Sequence, residues 1–228
     1  MRRLSALGAV VGVTIVLACS LTAARASATV LCGELNSTCG SIYPAGTLVK
    51  AELATMTTAV IETEIAKVTC LENKIGMKTT AAGGASPITV PARVSEFSFA
   101  QCTVPAGMGE TESCTVKPVN LGATQLEQWQ GFYEKANLGN GVFGMSSSSL
   151  GKFGFSVLCN QKVESINCTF TNGTSSAVTG GGFKTPATFT GAEKMQPQAG
   201  GKKCPAAEAT YRFTWAVSAP AILFLEPK

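Results

Sequence analysis

Thr210–Leu225 reads TYRFTWAVSAPAILFL, and its first half decides the fold. Tyr211, Phe213, Trp215 and Val217 fall on one parity, and Thr210, Arg212, Thr214 and Ala216 on the other. A period of two is that of a strand with one buried face. Pro220 interrupts the run, because a proline has no N–H to give a ladder and belongs at an edge or a bend. The stretch therefore predicts two strands, Thr210–Val217 in the sheet interior and Ala221–Leu225 at its margin. The aromatic face reads as core rather than as a platform for a ligand.

The same period recurs upstream. Val49, Ala51 and Leu53 alternate with Lys50 and Glu52. Ala59 to Cys70 alternates too but changes parity, which predicts a bulge or bend near Ala66. Val90, Ala92 and Val94 alternate before Phe97 and Phe99 appear on the shifted parity. Leu121–Lys135 fits either period, and Gly131 together with the β-rich neighbourhood favours a strand. Asn140-Gly141 is a strong hairpin turn, and Phe153, Phe155, Val157 and Cys159 share one face beyond it. Roughly ten to twelve short strands follow from this spacing, and no helix is required. The expected fold is an all-β, disulfide-stapled antiparallel β-sandwich, with two small packed β-sandwiches as the alternative.

Arg2 and Arg3 precede an uncharged, mostly apolar run from Leu4 to Leu17, with small residues after it. This is the pattern of a secretory signal peptide, and Ala24-Arg25-Ala26 or Ala26-Ser27-Ala28 supplies the cleavage motif. The domain reading is a leader over 1–26 and one all-β domain over 27–228. The apolar run is short for a membrane span and no comparable stretch follows, so no transmembrane segment is expected in the mature chain. Val16-Leu17-Ala18-Cys19 loosely fits a lipoprotein processing site, so a chain lipid-anchored at Cys19 is the alternative to a secreted one.

Eight cysteines lie beyond the leader: Cys32, Cys39, Cys70, Cys102, Cys114, Cys159, Cys168 and Cys204. An even number in an exported chain implies disulfides, although the connectivity is open. Proximity in sequence favours Cys32 with Cys39, Cys102 with Cys114 and Cys159 with Cys168, leaving Cys70 for Cys204.

The absences exclude more than the motifs include. The chain has no histidine and no aspartate; all 14 of its acids are glutamate. A Ser-His-Asp or Cys-His nucleophile cannot be assembled, nor can imidazole zinc sites, Asp-rich calcium loops or aspartyl dyads. Without Arg2, Arg3 and Arg25 the 18 basic residues become 15, against 14 acids, which leaves no electrostatic footprint for nucleic acid. No catalytic, cofactor-binding or metal-binding residue is expected. Glutamate pairs alone can hydrolyse glycosides, and Glu62 with Glu64 or Glu110 with Glu112 are the pairs at hand, although i and i+2 carboxylates sit side by side and read as solvated charge. Trp129 and Tyr133 are the residues that could stack on a sugar, against the commoner fate of aromatics in a core.

Several stretches carry a resemblance: PAGTLVKAELAT from Pro44, a VTC strand followed by Glu72-Asn73, a strand ending FSFAQC at Cys102, the Cys159/Cys168 segment, and a Cys-Pro element leading through ATYRFTW. In these the chain resembles a group of small exported Cys-containing β-rich proteins of high-GC Gram-positive bacteria to which no function is assigned. The resemblance implies a secreted β-rich protein and brings no active site with it. The function expected is non-enzymatic, a structural or binding module at the cell surface or in the extracellular space, with cell-wall or extracellular glycan as the partner considered. A carbohydrate-binding sandwich or, further off, a glutamate-pair glycoside hydrolase is the alternative.

Overall fold

The computed structural model describes residues 29–34, 39–84, 89–104, 111–118, 129–135, 141–147, 154–161, 165–171, 176–180, 187–198 and 204–227. They form fifteen strands and no helix. In chain order these are β1 (Thr29–Cys32), β2 (Leu48–Leu53), β3 (Ala59–Glu62), β4 (Lys67–Thr79), β5 (Gly83–Gly84), β6 (Val90–Thr103), β7 (Thr111–Pro118) and β8 (Trp129–Lys135). There follow β9 (Gly141–Ser147), β10 (Gly154–Gln161), β11 (Ser165–Thr171), β12 (Ser176–Gly180), β13 (Thr188–Pro197), β14 (Ala209–Ala219) and β15 (Phe224–Pro227). Twelve belong to one antiparallel sheet and three, in the order β15-β1-β5, to a second.

β14 is the centre of the large sheet. It pairs with β13 on one side; on the other it pairs with β3 through Thr210–Arg212 and with β2 through Trp215–Ala219. β2 and β3 lie end to end, and both pair onward to β4. From β4 the ladder runs through β6, β8, β9 and β12 to β13, so it returns to β14 and closes on itself. At the far end of β13, β11 begins a second layer continued by β10 and β7. That layer packs on the first: the Phe155 ring of β10 lies 6.0 Å from Phe99 of β6 and 5.7 Å from Tyr211 of β14. The architecture is thus a disulfide-stapled antiparallel sandwich whose layers are joined at β13.

The opening stretch behaves as its pattern predicts. Tyr211, Phe213, Trp215 and Val217 are buried, while Arg212 faces solvent. A cis peptide at Ala219-Pro220 ends β14, and the second strand begins at Phe224, three residues later than expected, because Ala221 and Ile222 form an exposed bend first. The parity change near Ala66 is a hairpin rather than a bulge within one strand. Glu62 pairs with Lys67, and Thr63 Oγ1 accepts hydrogen bonds from the N–H groups of Ile65 and Ala66 at 3.3 and 3.0 Å. A threonine hydroxyl capping its own turn in this way offers the backbone an alternative to the ladder, which sequence alternation alone does not reveal. The shift before Phe97 is a bulge, seen as a break in register between Gly76 and Met77 of the facing strand.

All eight cysteines pair, but in a different pattern from the one proximity favours. Cys32–Cys39 forms as expected. Cys70 bonds Cys102, Cys114 bonds Cys159 and Cys168 bonds Cys204. The reason is register. Cys70 sits directly opposite Cys102, and Cys114 directly opposite Cys159, with Cα atoms 3.9 and 4.0 Å apart. In the β10–β11 hairpin Cys159 faces Ile166 and Cys168 faces Val157, so those two cysteines are diagonal neighbours and each has a nearer partner. Gly83 and Gly154 mark the tightest approaches, where a Cβ would come within 2.1 Å of the carbonyl oxygens of Thr29 and Phe170.

Candidate functional site

Behind the aromatic face of β14 lies a buried polar contact on which the aromatics depend. Asn73 of β4 is 1% exposed, and its Oδ1 accepts hydrogen bonds from the Tyr211 hydroxyl and the Trp215 indole N–H, both at 2.6 Å. Its Nδ2 donates to the Ser98 carbonyl at 2.9 Å. A buried phenol and a buried indole each need a partner, and one amide oxygen with two lone pairs provides both. Burial pushes the Tyr211 hydroxyl well above the ordinary tyrosine range, with the bond to Asn73 pulling weakly the other way. The phenol is therefore neutral at ordinary pH, a hydrogen-bond donor rather than a nucleophile or base. Sequence reasoning passed over Asn73, although the signal was present: it shares the parity of Ile75 and Met77, both buried, so it is a polar residue on an apolar face.

On the outer face of the same strands is an open depression of about 410 Å³, lined by Thr58, Thr190, Gly191, Ala192, Arg212 and Thr214 among others. The Thr190 and Thr214 hydroxyls lie 3.2 Å apart. Arg212 reaches Glu62 at 2.7 Å, with both side chains about half exposed. The hydrogen bond from Arg212 holds the Glu62 carboxyl below its usual range against the opposing effect of desolvation, and the charges of Lys67 and Arg212 act in the same direction as the bond. Met56, almost fully exposed on the neighbouring turn, adopts a left-handed backbone at φ 61°. This face offers hydroxyls, one cation and one anion to a shallow ligand, and its charges are already matched. Among the described residues no group of three or more cysteines and acids is placed to hold a metal.

The candidate stacking residues Trp129 and Tyr133 both lie on β8, paired in register with Ser147 and Phe143 of β9. They share one parity about Gly131, and their side chains lie outside the described residues. The Glu62/Glu64 pair does not share a strand face: Glu62 ends β3, while Glu64 stands in the turn that follows. Glu110 lies outside the described residues, and Glu112 is placed by backbone alone on β7. Glu193, opposite Tyr211 in the β13–β14 register, is the single buried glutamate among those whose side chains are described. No helix of the described chain is long and apolar enough to cross a membrane. No protein family, curated protein or solved structure compared with the chain matches it.

Proposed function

We propose that this protein is an exported, non-enzymatic β-domain that serves at the cell surface or in the extracellular space as a structural or binding module. The observation that carries this reading is the use of all eight cysteines of 27–228 in four bridges, two of them inside the core. Bridges persist in oxidising compartments and are rare in the cytosol. The apolar, Arg-led segment at the start of the chain supports the same compartment. Support for a role without catalysis comes from chemistry: with neither histidine nor aspartate, the Ser-His-Asp and Cys-His nucleophile systems and imidazole metal sites cannot be built, and Tyr211 in the core is a neutral donor committed to Asn73.

Fractionation of the producing cells tests the compartment: the processed protein in medium or wall fraction, with no thiol available to alkylation after denaturation, is expected. A reduced protein retained in the cytosol would overturn the reading. A second reading rests on Trp129 and Tyr133 lying at one parity of β8, about 13 Å apart along the strand, as a stacking pair for wall or extracellular glycan. Retention on a glycan array, lost in Trp129→Ala with the fold intact, is its expected result; equal retention of the variant removes it.

A further inference from the structure

The depression on the outer face of β13 and β14 has a composition that packing does not explain. Ala192 stands exposed in the middle of β13, directly opposite Arg212, in a ladder with β14 that runs unbroken from Thr188 to Met195. Alanine is depleted in strands and shields little of such a ladder, so stability does not account for it there. Its small side chain, with the Thr190 and Thr214 pair on the next outward rung, leaves the hollow of about 410 Å³. One side of the hollow is the turn between β2 and β3, from which Thr58 lines it. That turn is held in place: the Ala54 N–H donates to the Thr214 carbonyl at 2.9 Å, and the Thr57 hydroxyl donates to the Ala54 carbonyl at 2.7 Å. A wall formed in advance costs a ligand little ordering.

The polar groups of the hollow are only partly used. A guanidinium carries several N–H donors. Arg212 gives one to Glu62, and its others meet no acceptor among the described residues. Thr190 and Thr214 use one hydroxyl hydrogen between them, so the pair keeps a donor and lone pairs for a third group. Glu62 already neutralises Arg212, which removes the pull that would select an anion. What matches is a neutral molecule whose hydroxyls both accept and donate, with C–H surface to lie on Ala192 and the threonine methyls. We propose that this depression binds a neutral hexopyranose unit of a cell-wall or extracellular glycan, with Arg212 donating to ring hydroxyls and Thr58, Thr190 and Thr214 bonding to others. The inference rests on the reading of an exported binding module, and it places the sugar on β13 and β14 instead of on Trp129 and Tyr133 of β8.

Affinity electrophoresis of oxidised residues 27–228, which contain every described strand, through gels holding dextran, mannan or galactan tests it, with polygalacturonate as the acidic comparison. Retardation by at least one neutral polymer, the same at low and high salt, is expected. Pull-down on isolated walls of the producing cells separates the sources: retention that the soluble polymer displaces assigns the sugar to the wall, and retardation without wall retention assigns it to extracellular glycan. Thr190→Val with Thr214→Val keeps the shape of both side chains and should weaken binding roughly tenfold, as for two lost neutral hydrogen bonds. Ala192→Ile adds a stiff strand-forming side chain that fills the floor and leaves every polar group in place, so it should abolish retardation. Unchanged circular dichroism and melting temperature confirm that each variant is folded. Ala192→Ile retarded as the parent is, or no neutral polymer slowing the parent, overturns the proposal. So does binding to polygalacturonate alone that fades with salt, since the site would then select charge. None of these outcomes touches the exported module, which fractionation decides, and loss of retardation in Trp129→Ala but not in Ala192→Ile would move the sugar to β8.

Discussion

The large sheet around β14 and the small sheet of β1, β5 and β15 solve the same problem with different means. β14 has eleven residues, ladders on both sides and a stacked Phe213–Trp215 pair with centroids 4.0 Å apart. Apolar area and the Asn73 contact hold it. β1 has four residues and β5 two, too little for a sheet to persist alone. All of β1 is nevertheless buried, because its two faces serve two clusters: Leu31 packs in the main core, whereas Val30 and Cys32 pack with Cys39 and Phe224 in a satellite one. The small sheet thus borrows one face from the main core and closes the other with the Cys32–Cys39 bridge. A short element can be fully buried and still depend on its neighbours and a covalent staple.

That contrast can be broken at several points. Trp215→Ala should have the largest effect, about 3 to 5 kcal/mol by chemical denaturation, as for other buried aromatics; a loss below about 1 kcal/mol would deny β14 its central place. Asn73→Ala should cost about 2 to 4 kcal/mol by leaving the Tyr211 and Trp215 donors without their acceptor. An Asn73→Ala protein as stable as the parent would mean that the aromatics pack without needing it. Opening Cys32–Cys39 by Cys32→Ala with Cys39→Ala should cost about 2 to 3 kcal/mol by the chain-entropy estimate. Hydrogen exchange should then rise in β1 and β15 well before β14, and uniform acceleration would erase the distinction between the two sheets.

Two smaller effects depend on pH. The folded Tyr211 has a raised pKa and the unfolded one ionises near 10, so its contribution is complete below about pH 10 and is lost as pH rises further toward the folded value. Tyr211→Phe should flatten that alkaline decline; an identical alkaline slope in the variant would contradict the buried neutral phenol. Glu62 has the opposite sign: its folded pKa is lowered, so the pair with Arg212 contributes above the ordinary carboxylate range and fades as pH falls through the folded value. Glu62→Gln should remove that acid-side slope and leave the two sheets otherwise unchanged, the smallest effect of the set for an exposed pair.

Alternation made the strands of the main core legible wherever one face is buried and the other wet, as at Val49–Leu53 and Tyr211–Val217. It failed where a local hydrogen bond decides the path, as with Thr63 turning the chain between β3 and β4. It also passed over Asn73, because two aromatic donors 138 and 142 residues away give that side chain its purpose. The outer-face depression was equally hidden, since it gathers residues from strands distant in sequence.

By itself, the sequence determined the class of fold, the presence of a disulfide framework, the buried face of β14 and the exclusion of histidine and aspartate chemistry. These are properties of local period and of composition, which require no knowledge of which strands are neighbours. Only the tertiary structure decided which cysteine meets which, that the ladder returns to β14, and that Asn73 lies beneath Tyr211 and Trp215. Those depend on register, and a strand's own pattern states which face is buried without naming the strand that will cover it.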